Sequence, residues 1–439
     1  MNIINYLTRS NWGVEGKKID DNFKLTINKP TISDLCMPSK LYLLASAIDL
    51  FFKPIVKNFY KKDKQIRLAV TNATLDRHYD NLATITPSAN GVATFSIYDE
   101  DFNKFDKIVN TVVTPASKTG DLGVMFIGNS LTYQGWFIDK VNTVCAAGLT
   151  FLGIRKLTSS SLYCEGRGGW KLRYYFRTSD TAHNGFWQPT VGRYWGKTDF
   201  WTYVMNHGEF AGDYDRDGFK TKATEVGFSL TGYKSNPIVD DLMYDSTLAS
   251  YIKWDGSAWV PTISPASWGF SFAKYCSMWN VAIPNVVCLE LGLNEFRAND
   301  YESTYAAWNA QAALVLASLK AINANAKLAI IIPPSTAGLE KQASVSTFVL
   351  LANFNMWNFR KNLIDTFDNR EAEGYYLIDS GISLDDEYGF LDASTTLPNQ
   401  FYTGTERLRV QWGSPHPKID GYNMMGNIIA GFIQFARGV

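Results

Sequence analysis

Gly123-Val-Met-Phe-Ile-Gly-Asn-Ser-Leu-Thr132 decides how the rest of the chain is read. Its apolar opening runs into Gly128-Asn129-Ser130, and an amphipathic segment follows over about 133–147. A short apolar run, a turn and a helix-period segment predict a buried strand, a tight turn carrying a serine, and a helix. Ser130 then sits at the C-terminal end of a strand and near a helix N-terminus. In an open α/β sheet that edge is where ligands bind. Taken alone, the stretch is better read as an ordinary β–α turn with a serine cap. Blocks further along the chain change that reading.

From Asp121 onward the pattern alternates between strand and helix. Strands are expected over 122–127, 150–157, 285–291, 327–333 and 375–379, and helices over 133–147, 301–324, 345–369 and 421–436. Parallel strands joined by helical crossovers imply a three-layer α/β domain with helices on both faces. Residues from about 208 to 268 interrupt the alternation. They are rich in Gly, Asp and aromatics, and Asp255-Gly256 between Trp254 and Trp259 is a hairpin signal. The simplest reading is a β-rich insertion on a domain spanning 119–439.

Residues 1–118 read differently. An apolar stretch over 34–60 has helical spacing at Leu41, Leu44, Ala45, Ile48, Phe51, Phe52, Ile55 and Val56, and is interrupted by Pro54. Short alternating runs follow at 66–70, 81–85 and 92–97, separated by turn residues. A small α+β region is expected here, joined to the rest by a linker over 112–120. His78, in a polar stretch, reads as a surface histidine.

Composition narrows the function classes. The chain has 439 residues with 42 basic and 42 acidic side chains, so it carries no net formal charge and no electrostatic footprint for nucleic acid. No apolar run approaches the length of a membrane span, so no membrane insertion is expected. The N-terminal residues lack a basic segment followed by a long apolar core, so no cleavable export signal is expected. The cysteines Cys36, Cys145, Cys164, Cys276 and Cys288 are scattered without metal-ligand spacing and read as thiols, not a disulfide framework.

Four blocks fall after strands or before helices, on the same edge of the expected sheet. They are Ile127-Gly-Asn-Ser-Leu-Thr132, Glu165-Gly-Arg-Gly-Gly-Trp170, Leu291-Gly-Leu-Asn-Glu295 and Pro415-His-Pro-Lys-Ile-Asp-Gly-Tyr422. A hydroxyl needs a base to become nucleophilic, and a developing oxyanion needs preorganised donors. A serine, a histidine, an asparagine and a glycine-rich loop gathered at one edge supply those parts. The ordered set resembles the SGNH (GDSL-like) hydrolase superfamily, and within it the carbohydrate-esterase-like members, over about 121–207 and 270–439. The resemblance implies a flavodoxin-like α/β/α fold and no cofactor. It implies Ser130 as nucleophile and His416 as base, with the Ser130 and Gly169 N–H groups and the Asn294 side chain as oxyanion donors. The Gly-x-Ser-x-Gly elbow of the α/β-hydrolases is not present around Ser130.

Two positions depart from the family pattern. Asn129 replaces the usual Asp before the serine. Gly413 replaces the Asp expected three residues before the histidine, which would orient the imidazole. Three readings stay open: a Ser–His dyad with a backbone carbonyl as orienter, a carboxylate from elsewhere (Asp392, Asp379 or Asp420), or an impaired enzyme. Glu295 replaces the Asp that usually follows the third-block Asn and reads as structural. Trp170, Trp187 and Glu295 are nevertheless kept as possible substrate contacts. Phe186, Trp187 and Trp195 could form a sugar platform, though packing aromatics are the commoner case. His183 and His207 read as solvent-facing or hydrogen-bonded. Asp213, Asp215 and Asp217 follow the order of a calcium loop, but Thr224 stands where the closing acid belongs, so a solvated acidic turn is preferred.

Gly16-Lys-Lys-Ile-Asp-Asp-Asn-Phe23 is similar to a short segment common near the start of phage tail and fibre proteins. The stretch over 243–260 resembles a hairpin module of phage fibres. The expected protein is therefore a serine esterase that removes acyl groups, with acetyl the expected one, from a polysaccharide or other glycan. The resemblance further implies carriage on a phage virion, with 1–118 contacting other tail proteins. The alternative is an impaired SGNH scaffold that binds glycan or serves as a structural virion protein.

Overall fold

A computed structural model describes residues 35–56, 65–79, 82–98, 104–145, 147–157, 160–177, 185–206, 219–297, 303–334, 347–384, 392–398, 406–410 and 416–438; of 347–353, 392–398 and 406–410 it describes the backbone alone. The fibre-like segment 16–23 lies outside these residues, as do His183, His207, Asp213, Asp215, Asp217 and Gly413.

The N-terminal part is built from strands β1 (Lys40–Leu44), β2 (Ile48–Phe51), β3 (Gln65–Val70), β4 (Ala73–His78), β5 (Leu82–Pro87), β6 (Gly91–Tyr98) and β7 (Lys104–Thr114). They form two sheets, ordered β1-β7-β6-β3 and β2-β5-β4. The helix expected over 34–60 is therefore corrected to two strands and a 3-10 turn at Lys53–Ile55. Leu41, Tyr42, Leu43 and Leu44 are all buried. A strand covered on both faces loses its alternation, and a continuous apolar run then mimics a helix segment. The linker expected over 112–120 is also shorter, because Val112–Thr114, that is 112–114, still belongs to β7. His78 is half-buried, not a surface residue: its Nε2 accepts from the Leu68 N–H at 3.3 Å.

The second half begins with β8 (Leu122–Gly128), helices α1 (Ser130–Gln134) and α2 (Trp136–Val144), and strands β9 (Leu149–Leu152), β10 (Arg155–Lys156) and β11 (Tyr163–Gly166). After β12 (Trp187–Pro189) and β13 (Arg193–Lys197) come α3 (Thr198–Asn206), α4 (Phe219–Glu225), β14 (Asp241–Asp245), β15 (Ser250–Trp254), β16 (Trp259–Thr262) and β17 (Trp268–Phe270). The chain continues through α5 (Phe272–Trp279), β18 (Val286–Glu290), α6 (Leu293–Phe296), α7 (Tyr305–Lys320), β19 (Lys327–Ile331), α8 (Thr347–Phe367) and β20 (Tyr375–Ile378), then β21 (Asp392–Pro398), β22 (Glu406–Val410) and α9 (Ile419–Ala436).

Strands β8, β18, β19 and β20 pair in parallel, and β8 takes β9 and then the end of β11 on its other side. The strand order by sequence is thus 2-1-3-4-5, that of a doubly wound sheet. Every residue of β18 and β20 is buried, as expected of a parallel sheet covered by helices. The order reverses between β8 and β18, whose last residues pair as Glu290↔Gly128. That is the switch point at which such sheets bind ligands.

Two glycines divide elements that the periodicity reads as continuous. Gly135 (φ +78°) separates α1 from α2, and a Cβ there would fall 2.6 Å from Leu157. Gly153 (φ +149°) separates β9 from β10, where a Cβ would lie 2.3 Å from the Cys164 carbonyl oxygen. The interrupting region supplies a four-stranded sheet ordered β13-β14-β15-β16. Its first strand comes from before residue 208. Asp255-Gly256 forms the hairpin turn: Asp255 Oδ1 accepts from the Ser257 and Ala258 N–H groups, each at 2.8 Å, and Gly256 takes φ +109°.

Candidate active site

Ser130 opens α1 directly after the buried strand β8. Asn129 is the N-cap, its Oδ1 accepting from the Leu131 N–H at 2.8 Å. The serine is therefore held at a strand-to-helix turn. His416 Nε2 lies 2.8 Å from Ser130 Oγ, across 286 residues of sequence. Both residues are half-buried. Burial, and after it the nearby Arg297 guanidinium, hold the imidazole below its ordinary pKa. The ring is thereby kept neutral at neutral pH, the form that can take a proton from a hydroxyl.

The glycine-rich loop is tied to the same turn. Arg167 donates its N–H to the Gly128 carbonyl at 3.0 Å. The Tyr175 hydroxyl donates to the Glu165 carbonyl at 2.6 Å and lies 3.1 Å from that of Gly128. Gly166 packs so closely that a Cβ would come 2.4 Å from the Tyr133 backbone nitrogen. Gly169 is exposed, with φ +71° and nothing within 4 Å of where a Cβ would be. Asn294, in the short α6 after β18, donates one Nδ2–H to the Trp170 carbonyl at 3.0 Å. A carboxamide has two such hydrogens, so a second remains for another acceptor. The structure brings together Ser130 and His416, and separately links Asn294 to the loop that carries Gly169.

Several other expected site residues are engaged in packing or buried hydrogen bonds. Glu295 is buried, its Oε2 accepting from the Gly292 N–H at 3.0 Å and its Oε1 from that of Leu172. It is a clamp between α6 and the loop after Gly169, and its substrate-contact reading is corrected. Trp170 is also buried, at 8 % exposure, with the Arg167 guanidinium 4.5 Å from its ring and Tyr175 edge-on at 4.9 Å. Its main-chain carbonyl, not its ring, meets the site. Trp187 is half-buried, 6.0 Å from Phe176. Phe186 and Trp195 are core residues, Phe186 stacking on Tyr275 at 4.0 Å and Trp195 packing edge-on to Trp279 at 5.8 Å. They cannot form a platform.

Of the carboxylates considered for the missing orienter, Asp379 is corrected. It is buried and fully engaged by Arg360, whose Nη1 donates to Oδ1 at 2.7 Å while Nη2 donates to Oδ2. Asp420 is exposed in the first turn of α9. Asp392 lies on β21, where only the backbone is described. The three carboxylates named as a calcium loop lie outside the described residues, and no group of three metal-binding side chains occurs among the described ones. All five cysteines are buried free thiols.

Sequence reasoning missed Glu290, Thr132 and Tyr175, which hold the Ser130 turn from below. A signal was available for the first: Glu290 is a lone acid inside the apolar run Val286-Val-Cys-Leu-Glu-Leu291. A charge-bearing side chain in a buried strand calls for a partner.

No protein-family model and no curated protein matches the chain. Solved structures similar to it include a carbohydrate esterase of family 3 from Talaromyces cellulolyticus, 12% identical, covering 72% of this chain and 99% of that one, with a TM-score of 0.35. A family 2 carbohydrate esterase with a carbohydrate binding domain, from Corynascus thermopiles (Myceliophthora fergusii), is 10% identical over 91% of this chain and 92% of that one, TM-score 0.30. A family two carbohydrate esterase from Clostridium thermocellum, in complex with cellohexaose, is 11% identical over 89% and 92%, TM-score 0.29.

Proposed function

We propose that this protein is a serine esterase that removes acyl groups, with acetyl the expected one, from carbohydrate. The observation that carries the reading is the 2.8 Å contact between Ser130 Oγ and His416 Nε2 at the switch point of the sheet. The carbohydrate part rests on the likeness of the four sequence blocks to carbohydrate-esterase-like SGNH hydrolases. The strand order, taken with the general preference of parallel β–α–β connections for the right hand, supports helices on both faces of the sheet, the three-layer arrangement of that superfamily.

In this reading Ser130 Oγ attacks the ester carbonyl as its proton passes to His416 Nε2. The C–O bond that forms leaves a tetrahedral oxyanion, met by the N–H groups of Ser130 and Gly169 and the second Nδ2–H of Asn294. Collapse breaks the bond to the sugar oxygen, which takes the proton from His416. Water then attacks the acyl-serine, again losing its proton to His416. Release of the carboxylic acid returns that proton to Ser130.

The test is hydrolysis of aryl acetates and acetylated glycans by the wild type and by Ser130→Ala. The expected loss on substitution is on the order of 10⁴-fold or more in kcat. An unchanged rate in Ser130→Ala overturns the reading. Glycan retention without product, indifferent to Ser130→Ala, would point to a binding protein instead.

A further inference from the structure

Strand β18 is buried along its whole length, yet it ends in a carboxyl group. Glu290 is 0 % exposed and sits directly under the Ser130 turn, its residue paired in register with Gly128. Its Oε1 accepts from Asn129 Nδ2 at 3.2 Å, and its Oε2 from Thr132 Oγ1 at 3.2 Å. Its main-chain carbonyl accepts from the Asn129 N–H at 3.3 Å. One residue thus grips the chain on both sides of the serine, at the position before it and two positions after it. The fit is close: a Cβ on Gly128 would lie 1.9 Å from Thr132 Oγ1 and 2.9 Å from the Glu290 carbonyl oxygen.

We propose that Glu290 is a positioning residue of this site, holding Ser130 Oγ against His416 through Asn129 and Thr132. The assignment rests on the reading of Ser130 as nucleophile. It also accounts for the asparagine at position 129. An aspartate there would set two carboxyl groups against each other, and the contact would hold only with a proton kept between them, whereas the carboxamide donates to Glu290 and accepts from Leu131 in either protonation state of Glu290.

The protonation state of Glu290 bears on the chemistry. Burial raises its pKa to about 8, against the opposing effect of the hydrogen bonds from Thr132 and Asn129. The titratable groups facing it from packed elements are Glu295 of α6 and Tyr422 of α9, the latter engaged with Gln134. Neither supplies a compensating positive charge. As a neutral acid, Glu290 keeps Asn129 on one oxygen and can donate its own O–H to Thr132. Once ionised, it places a buried negative charge beneath the turn at which the oxyanion develops, which opposes the reaction.

The experiment measures labelling of Ser130 by a fluorophosphonate and, in parallel, kcat and KM on an aryl acetate across pH. The variants are Glu290→Ala, Glu290→Gln and Thr132→Val, each checked for folding by circular dichroism. Misplacing a reacting group by about 1 Å costs on the order of 100-fold. Glu290→Ala is expected to lose about that much in labelling rate and kcat, with KM little changed. Glu290→Gln can accept from Asn129 and donate to Thr132, so it is expected to recover the bulk of that loss and to lack the fall in kcat that ionisation of Glu290 is expected to cause in the wild type above about pH 8. Thr132→Val, which keeps the side-chain shape, is expected to slow labelling and decides the matter if Glu290→Ala does not fold. Labelling at the wild-type rate in folded Glu290→Ala, or in Thr132→Val where the former is unfolded, overturns the assignment. A Gln variant as slow as the Ala variant overturns it too. A wild type whose Ser130 takes no label overturns the esterase reading itself, and this assignment with it.

Discussion

At the scale of single residues, the pair Ser130–His416 is made usable by the environment of the imidazole. Desolvation disfavours its charged form, and Arg297 disfavours it further. The sign follows directly. A base whose pKa is lowered stays neutral, and therefore active, down to a lower pH than an exposed histidine would. The acid limb of kcat/KM on an aryl acetate is expected to fall below the ordinary histidine range, and Arg297→Gln is expected to move it upward. A limb at or above that range would contradict the electrostatic account. Ser130, Gly169, Asn294 and His416 can be nominated from the sequence because each stands in a short block after a strand or before a helix, and the structure sets Ser130 beside His416 and ties Asn294 to the loop of Gly169. The supporting residues cannot be nominated that way. Glu295 reads as structural from the sequence and is kept only as a possible substrate contact, and its carboxylate faces inward to two backbone N–H groups that the sequence does not name. Which way a side chain turns at a helix start is set by those buried donors, and spacing does not encode it. Asp379 shows the same limit, since its partner Arg360 is a core neighbour brought in by another element.

At the scale of elements, periodicity located the strands of the parallel sheet and failed where both faces of a strand are covered. Tyr42 of β1 lies edge-on to Phe432 at 5.3 Å and against Phe435 at 4.9 Å, both on α9. Its neighbours Leu41, Leu43 and Leu44 are buried as well, so no polar face marks the strand. Glycines set the breaks that periodicity could not see. Gly153 combines a backbone conformation that L side chains rarely adopt with a close approach to Cys164. Gly153→Ala is expected to lower stability by about 1–3 kcal/mol, read as a shift in thermal midpoint. A midpoint unchanged from the wild type would mean that the β9–β10 break does not depend on this residue.

At the scale of the molecule, the division near residue 118 inferred from the change of sequence pattern meets extensive cross-stitching. Arg360 Nε donates to the Cys36 carbonyl at 2.6 Å, and the Ser39 N–H donates to Asp368 Oδ2 at 2.9 Å. Lys40 pairs with Glu371 at 2.6 Å, and Gly431 of α9 lies so near β1 that a Cβ would come 2.5 Å from the Tyr42 carbonyl oxygen. A chain lacking 1–118 would expose the aromatic face of α9 and leave the buried Arg360 short of one acceptor. It is expected to aggregate or to melt well below the full chain, as light scattering and a thermal scan would report; equal stability would establish two independent units. The same α9 follows directly on His416, so the N-terminal strands help hold the element that leads from the base. Treating the full chain with a fluorophosphonate and mapping the adduct by peptide mass spectrometry reads out the Ser130–His416 pair itself. A single stoichiometric adduct on Ser130, strongly reduced in His416→Ala, is expected. An unlabelled Ser130, or labelling indifferent to His416, would contradict the esterase reading.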